Sequence, residues 1–314
     1  MITPNQTTVT EFILQSFTEN PRLQSLFFSL FLLLFVTAMA GNVLIIAAIH
    51  VSTRLHLPMY FFLANLAILD IICTSSILPK VLENLISARK TISFGGCMNQ
   101  MFFFTWSLSS ELLLFTAMAY DRFLAICQPL HYSTMMSKTA CVALAAFVWS
   151  IGGLNSVILT GLVLRLSFCG PNLVPHFFCE IPPVLLLSCT PTYWNDILTI
   201  TADIFLAGLN FLLTMVSYSF IISSVMKIRT REGKKRAFST CSSHLTVVTL
   251  YYSTVLYTYI RPVLGTSGFL DKSASVLYTV LTPTLNPLIY TLRNKDVKVR
   301  LLSAEHSTKC GLGV

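Results

Sequence analysis

Charge is what this chain has least of. Only 11% of its 314 residues are Asp, Glu, Lys or Arg, while 54% are hydrophobic, whereas a soluble domain is normally about one quarter charged. With a mean hydropathy of +0.72, the scarcity argues against a soluble domain and for a membrane protein. Short alternating apolar and polar segments are also missing, which argues against a closed β-barrel. The sequence contains neither His-Glu-x-x-His nor Gly-x-Ser-x-Gly, so an intramembrane hydrolase lacks its nucleophile or metal set. No internal repeat is visible, which argues against a transporter built from paired halves. His56 has no second His or Cys at ligand spacing, and nothing in the net charge of +8 calls for nucleic acid.

What is present is a series of seven apolar segments, near residues 23–50, 58–80, 99–120, 140–163, 197–226, 238–260 and 273–292. Each is long enough to cross about 30 Å of hydrocarbon at about 1.5 Å per helical residue. The expected fold is therefore an all-α membrane protein, a seven-transmembrane helix bundle. Of the 21 Lys and Arg, fourteen fall on one set of alternate loops and seven on the other. The richer side is expected in the cytoplasm, with the N-terminus outside and the C-terminus cytoplasmic. Three regions follow: an extracellular tail over 1–22, the membrane domain over 23–292, and a cytoplasmic tail over 293–314. The first twenty residues are polar and show no basic-then-apolar signal pattern. Asn5-Gln6-Thr7 within them fits a glycosylation acceptor on the lumenal side. In the last region, residues 295–302 suit a short amphipathic helix on membrane lipid, and Cys310 is a candidate for acylation.

Polar residues inside the apolar segments carry the functional signal. Asp70, Glu111 and Asp203 are intramembrane acids, each costing roughly 2.5–3.5 kcal/mol on insertion scales, so each is expected to face the interior with a partner or a proton. Asp121 and Arg122 stand where the third segment meets water. Being adjacent, they are not helix-surface neighbours, which leaves Arg122 to reach other helices or to snorkel to headgroups. Gly41-Asn42 permits close approach and an interhelical hydrogen bond. Pro58 suits the first turn of the second helix. Pro287 is expected to kink the last helix and free a carbonyl, which Asn286 either satisfies or leaves for the centre near Asp70. Four cysteines, Cys97, Cys169, Cys179 and Cys189, lie on the oxidising side, and four cysteines allow three pairings.

Several stretches together resemble the olfactory receptors, rhodopsin-like G-protein-coupled receptors, here of the tetrapod class II type. They are Gly41-Asn42, Leu55-His56-Leu57-Pro58-Met59-Tyr60-Phe61-Phe62-Leu63, the fifteen residues from Met118 to Tyr132 that contain Asp121-Arg122, Ser217-Tyr218, Arg236-Ala237-Phe238-Ser239-Thr240-Cys241-Ser242-Ser243-His244-Leu245, and Pro283-Thr284-Leu285-Asn286-Pro287-Leu288-Ile289-Tyr290. The chain departs from the family at Ala67, where Ser is usual, and at Tyr251 and Ser253, where Phe-Tyr-Gly is usual around Tyr252. It has no Trp-x-Pro in the sixth segment and no Lys within the seventh, which argues against an opsin.

The resemblance implies no enzyme but an odorant receptor. Its partners would be a small volatile odorant and a heterotrimeric stimulatory G protein of olfactory type, with cyclic AMP as output. It would reside in the plasma membrane as a multi-pass protein, in olfactory neuron cilia. It implies the disulfides Cys97–Cys179 and Cys169–Cys189, the first making the second outer loop a lid. It implies a cavity walled by Phe104, Thr105, Leu108, Ser109, Asp203, Leu206, Tyr252, Val255, Tyr259, Val276 and Thr279; at Asp203 the family supplies no rule. It implies a coupling switch of Asp121, Arg122, Tyr218, His244, Asn286, Pro287 and Tyr290, in which Tyr218 meets Arg122 in the active state. Asp70 and Glu111 would share a proton or a sodium ion, no other cofactor being implied, and a purely structural hydrogen-bond role is the alternative.

Overall fold

A computed structural model describes residues 9–169, 171–264, 272 and 274–293. Helix α1 spans Pro21–Val51, with Pro21 in its first turn and the Asn20 side chain accepting from the Arg22 N–H, a start that satisfies one otherwise orphaned donor. A single 3₁₀ turn, Thr53–Leu55, leads to α2, Pro58–Ile86. Helix α3, Phe94–Cys127, is capped by Ser93, whose hydroxyl accepts from the Gly96 N–H. The short α4, Tyr132–Met135, precedes α5, Lys138–Val163, capped in the same way by Ser137. A loop containing α6, Ile181–Leu185, leads to α7, Tyr193–Asp203, which continues through a π turn, Ile204–Leu209, into α8, Asn210–Lys227. Helix α9 runs over Arg231–Leu264, and a second π turn, Leu277–Leu281, enters α10, Thr282–Arg293.

Among the described residues five helical stretches are long and apolar enough to cross a membrane: α1, α2, α3, α5 and the continuous α7–α8. Their surfaces agree with a multi-pass membrane protein. Leu26 and Leu33 on α1 are 61% and 64% exposed, an apolar display that water would penalise and lipid accepts. The helices outrun the apolar segments because the backbone ladder continues past the hydrocarbon, so α3 carries Asp121 and Arg122 within it rather than after it.

The bundle is held by small residues and interhelical hydrogen bonds, the means available where lipid removes the hydrophobic drive between helices. On the α3–α5 seam, Ser156 donates to the Phe102 carbonyl at 2.6 Å and Trp106 Nε1 to the Trp149 carbonyl at 3.0 Å. Trp149 Nε1 in turn donates to Asn65 Oδ1 of α2 at 2.9 Å. On the α1–α10 seam, Pro287 lacks the N–H that would bond the carbonyl four residues back, at Pro283. Asn42 Nδ2 donates to that carbonyl at 3.1 Å. Gly41 makes the approach possible, since a Cβ there would stand 2.9 Å from Pro287 Cβ.

The all-α expectation needs one correction. A three-stranded sheet of order β2-β1-β3 caps one end of the bundle, formed by β1 (Glu11–Leu14), β2 (Thr91–Ser93) and β3 (Leu173–Val174). The first pair is antiparallel and the second parallel. Part of the region expected as an extracellular tail belongs to this sheet, because Phe12 and Leu14 alternate with polar or exposed neighbours and both are buried, the period-2 pattern of a half-buried strand. Residues 1–8, including Asn5, and residues 294–314, including Cys310, lie outside the described residues.

Replacing Asn42 with Leu leaves the Pro283 carbonyl without its donor. The expected loss is about 1–2 kcal/mol, read as a lower thermal unfolding midpoint of the purified protein, with Gly41→Leu lower still. Unchanged midpoints for both would contradict this α1–α10 contact.

Candidate functional site

Three polar or aromatic centres lie along the bundle axis. At the end away from the sheet, Asp121 is fully buried. Its Oδ2 accepts from Arg122 Nε at 2.9 Å and from the guanidinium Nη2 as well, and its Oδ1 accepts from the Tyr132 hydroxyl at 2.8 Å. Adjacent residues are not helix-surface neighbours and the backbone separates their Cβ directions, but the long Arg stem curls back until its fork meets the carboxylate. Arg122 is therefore occupied by its own neighbour. The Tyr218 hydroxyl of α8 shares a 2.6 Å hydrogen bond with His244 Nδ1 of α9, with the rings stacked at 5.7 Å. Buried Cys241 packs beside Tyr218, Ile221 and Ala119, and Cys127 lies 3.2 Å from the Ser224 hydroxyl.

Midway, Asp70 of α2 is fully buried and both its oxygens accept from Asn286 Nδ2 of α10, at 3.1 and 3.0 Å. Glu111 of α3 is buried too, close enough for its charge to act on Asp70. The Tyr251 hydroxyl of α9 lies beside Glu111 and 3.5 Å from the Leu108 carbonyl. Of the two tasks open to Asn286, it performs the second; the carbonyl freed by Pro287 goes to Asn42. Buried oxygens of Glu111 (Oε1), Asn42 and Asn286 (Oδ1) have no hydrogen-bond partner.

Toward the sheet, the candidate wall residues fall into two packed groups. Phe104 meets Phe178 edge-on at 5.3 Å and stacks on Tyr278 at 6.1 Å, with Val276 beside them. Tyr252 and Leu206 belong to the second group, and Leu108 packs against both. Thr105 is buried. Thr279 is fully buried and donates to the Ser275 carbonyl of its own helix at 2.6 Å. Ser109 turns elsewhere, accepting from Asn155 Nδ2 of α5 at 2.9 Å. Asp203 is half-buried at the entry to the π turn. Val255 and Tyr259 sit on α9 and Tyr290 on α10, but their side chains lie outside the described residues. A separate groove of about 600 Å³ lies between α2, β2 and α3, lined by residues such as Ile72, Lys80, Asn99 and Phe103. No candidate wall residue lines it.

The loop between α5 and α7 covers the aromatic group. Disulfides join Cys97 to Cys179 and Cys169 to Cys189, with Cα atoms 5.4 and 5.8 Å apart. Gln100 adds a second tie, donating to the Ser76 carbonyl at 2.9 Å and accepting from the Cys179 N–H at 2.7 Å. Glu180 accepts from the Tyr278 hydroxyl at 3.1 Å, and His176 Nε2 lies 3.2 Å from the Ser275 hydroxyl. Lys272 donates to the Ser16 carbonyl at 2.8 Å, binding the N-terminal segment to the same cap; burial holds its ammonium below the ordinary lysine pKa. Sequence reasoning missed Gln100, Glu180, Tyr278 and Tyr132. The signal for the first and third was a polar side chain inside an apolar run; Tyr132 closes the stretch from Met118 that carries the family resemblance, without a role of its own, and for Glu180 there was none.

A family model described as "Olfactory receptor" matches residues 31–305. The chain is 60% identical to olfactory receptor 13A1 of Homo sapiens over 297 residues, covering 95% of this chain and 90% of that protein. It is 54% identical to olfactory receptor 13G1 of Homo sapiens, over 94% of this chain and 96% of that protein. With olfactory receptor 5AR1 of Mus musculus the identity is 47%, covering 94% and 95%.

Burial, and then the Asp121 carboxylate, raise the Tyr132 phenol above its ordinary pKa. A raised phenol pKa keeps the neutral donor form, so its stabilisation is complete below the free value of about 10 and is lost only at more alkaline pH. Tyr132→Phe is expected to lower stability by about 1 kcal/mol, with a midpoint difference that stays flat from about pH 6 to about pH 9. A difference that vanishes inside that window would contradict the bond.

Proposed function

Because the chain belongs to the olfactory receptor family, a family of sensory receptors and not of enzymes, we propose that it detects small volatile odorants in a cavity under the α5–α7 loop and activates a stimulatory G protein. In this reading seven helices span the plasma membrane of olfactory neuron cilia. The sheet, the disulfides and a glycosylated Asn5 face outward, while Arg122 and the basic stretch from Lys227 to Arg236 face the cytoplasm. The observation that carries the reading is the paired arrangement at the Arg122 end. Asp121 holds Arg122 and His244 holds Tyr218, so the two groups that would receive a G protein are both occupied. An odorant that binds the alternative arrangement more tightly shifts the population toward it, α9 moves outward, Tyr218 turns to Arg122, and cyclic AMP rises. Asn286, Pro287 and Tyr290 of α10 are the part of the switch nearest the polar centre.

The apolar walls, Phe104, Leu108, Leu206 and Val276, with Thr105, Thr279, Tyr252, Val255 and Tyr259, suit a small volatile ligand. Asp203 beside the π turn is the position for a ligand amine or hydroxyl. Ser109, bonded to Asn155, contributes through helix packing rather than contact. Sodium fits the midway centre, since unpartnered buried oxygens accompany the two carboxylates and hard cations take oxygen ligands. Asp70 and Glu111 would hold it, and it would supply the positive charge that two close carboxylates need.

The test is cyclic AMP in cells expressing the receptor with an olfactory stimulatory G protein, across an odorant panel that includes amines, normalised to surface labelling of the N-terminus. A response that falls to background in Arg122→Ala at equal surface level is expected, and loss of amine responses alone in Asp203→Asn would make that acid a ligand contact. A response that survives Arg122→Ala intact would overturn the switch.

A further inference from the structure

Below the candidate cavity, four polar side chains from three helices meet at a place the functional reading leaves unassigned. Thr116 of α3 donates to Asn210 Oδ1 of α8 at 2.7 Å and lies 3.4 Å from the Thr214 hydroxyl. Asn210 Nδ2 turns the other way and donates to the Leu206 carbonyl at 2.9 Å, closing the π turn from beneath. Tyr252 of α9 is 2% exposed and packs on Phe211 at 5.1 Å. Its hydroxyl faces Thr214 and Thr116 without a bond of standard geometry. A buried hydroxyl aimed at two others ties α9 to the same polar cluster, and a small shift of any of the three completes the bond.

The spacing connects this rung to the one near Arg122. Asn210, Thr214 and Tyr218 stand at i, i+4 and i+8, one face of a helix, and His244, Val248 and Tyr252 repeat the spacing on α9. At about 1.5 Å per residue the rungs are about 12 Å apart. All six residues are buried. The upper rung fixes the rotation and height of α8 against α3; the lower rung, Tyr218 with His244, requires that same rotation and height. The upper rung is tied directly to the π turn, and Leu206 in that turn is a candidate cavity wall.

We infer that Asn210 is the positioning residue of the resting state: by linking the π turn to Thr116 it keeps Tyr218 in register with His244 and so keeps α9 closed. A ligand pressing on Leu206 acts on the lower rung through Asn210. That last step rests on the receptor reading; the geometric coupling does not, and it is tested without ligand or G protein.

Cys241 provides the readout, because it is a buried free thiol packed against Tyr218 at the moving end of α9. The full-length receptor in lipid nanodiscs is treated with N-ethylmaleimide, and the alkylation rates of Cys241 and of Cys73, deep in α2, are followed by peptide mass spectrometry. In Asn210→Leu and in Thr116→Val the Cys241 rate is expected to rise about tenfold, the factor equivalent to one interhelical bond of about 1.4 kcal/mol. Cys73 should keep its rate, and Thr116→Ser, which retains the hydroxyl, should keep both wild-type rates. Should Asn210→Leu fail to fold, Thr116→Val and Thr116→Ser carry the test. Unchanged Cys241 rates would overturn the inference, as would equal acceleration of Cys73, which marks general loosening. A receptor silent to every odorant but showing the selective change would count against the signalling reading alone.

Discussion

A polar atom inside hydrocarbon has no water to turn to, and this constraint organises the bundle. The Pro283 carbonyl, deprived of its helical donor by Pro287, takes Asn42 from α1. The Asp70 carboxylate takes Asn286 from α10. Asn210 takes Thr116, and Tyr218 takes His244. Each bond joins two different helices, the first three far apart in sequence and the last neighbouring in the chain, so pairing the polar atoms and positioning the helices are one event. Because lipid on the outside is as apolar as the core, these bonds and close small-residue contacts carry a specificity that apolar burial alone does not.

The two ends meet the constraint differently. At the sheet end the backbone is irregular, and it is secured by covalent and strand pairing: the two disulfides, the β2-β1-β3 sheet, and Gln100 bridging α2 to Cys179. At the Arg122 end no such staples appear among the described residues. The side chains there, Arg122 on Asp121 and Tyr218 on His244, are held in side-chain pairs that can be exchanged. A rigid cap above and exchangeable pairs below are what a population shift requires, since interfaces move between discrete packings rather than deforming continuously.

The helices and the polar centre were legible in the sequence because their signals are local or categorical. Long apolar runs mark the helices, and an acid within one has to be buried and paired. Asp70 with Asn286 follows from that logic, and Gly41 with Asn42 follows from the need to approach a kinked helix. Other features depended on context. The strand Glu11–Leu14 is four residues, too short to stand out of a polar segment, and its partners lie about 80 and 160 residues away in the chain. The π turn at Ile204–Leu209 contains no proline; what stabilises it, the Asn210 amide on the Leu206 carbonyl, becomes apparent only with the side chains in place. That Arg122 rests on Asp121 is a matter of side-chain conformation, which the helix-neighbour rule, concerned with Cβ spacing, leaves open because the Arg stem is long.

In the proposed receptor, the Arg122 end rests closed and opens between α3 and α9 when a G protein engages. Spin labels at Gln128, after α3, and Lys235, in the first turns of α9, measure that separation directly by double electron–electron resonance in nanodiscs. With the nucleotide-free stimulatory G protein added, a second, longer distance is expected to grow at the expense of the first. A single unchanged distance, with the G protein shown to be bound, would contradict it.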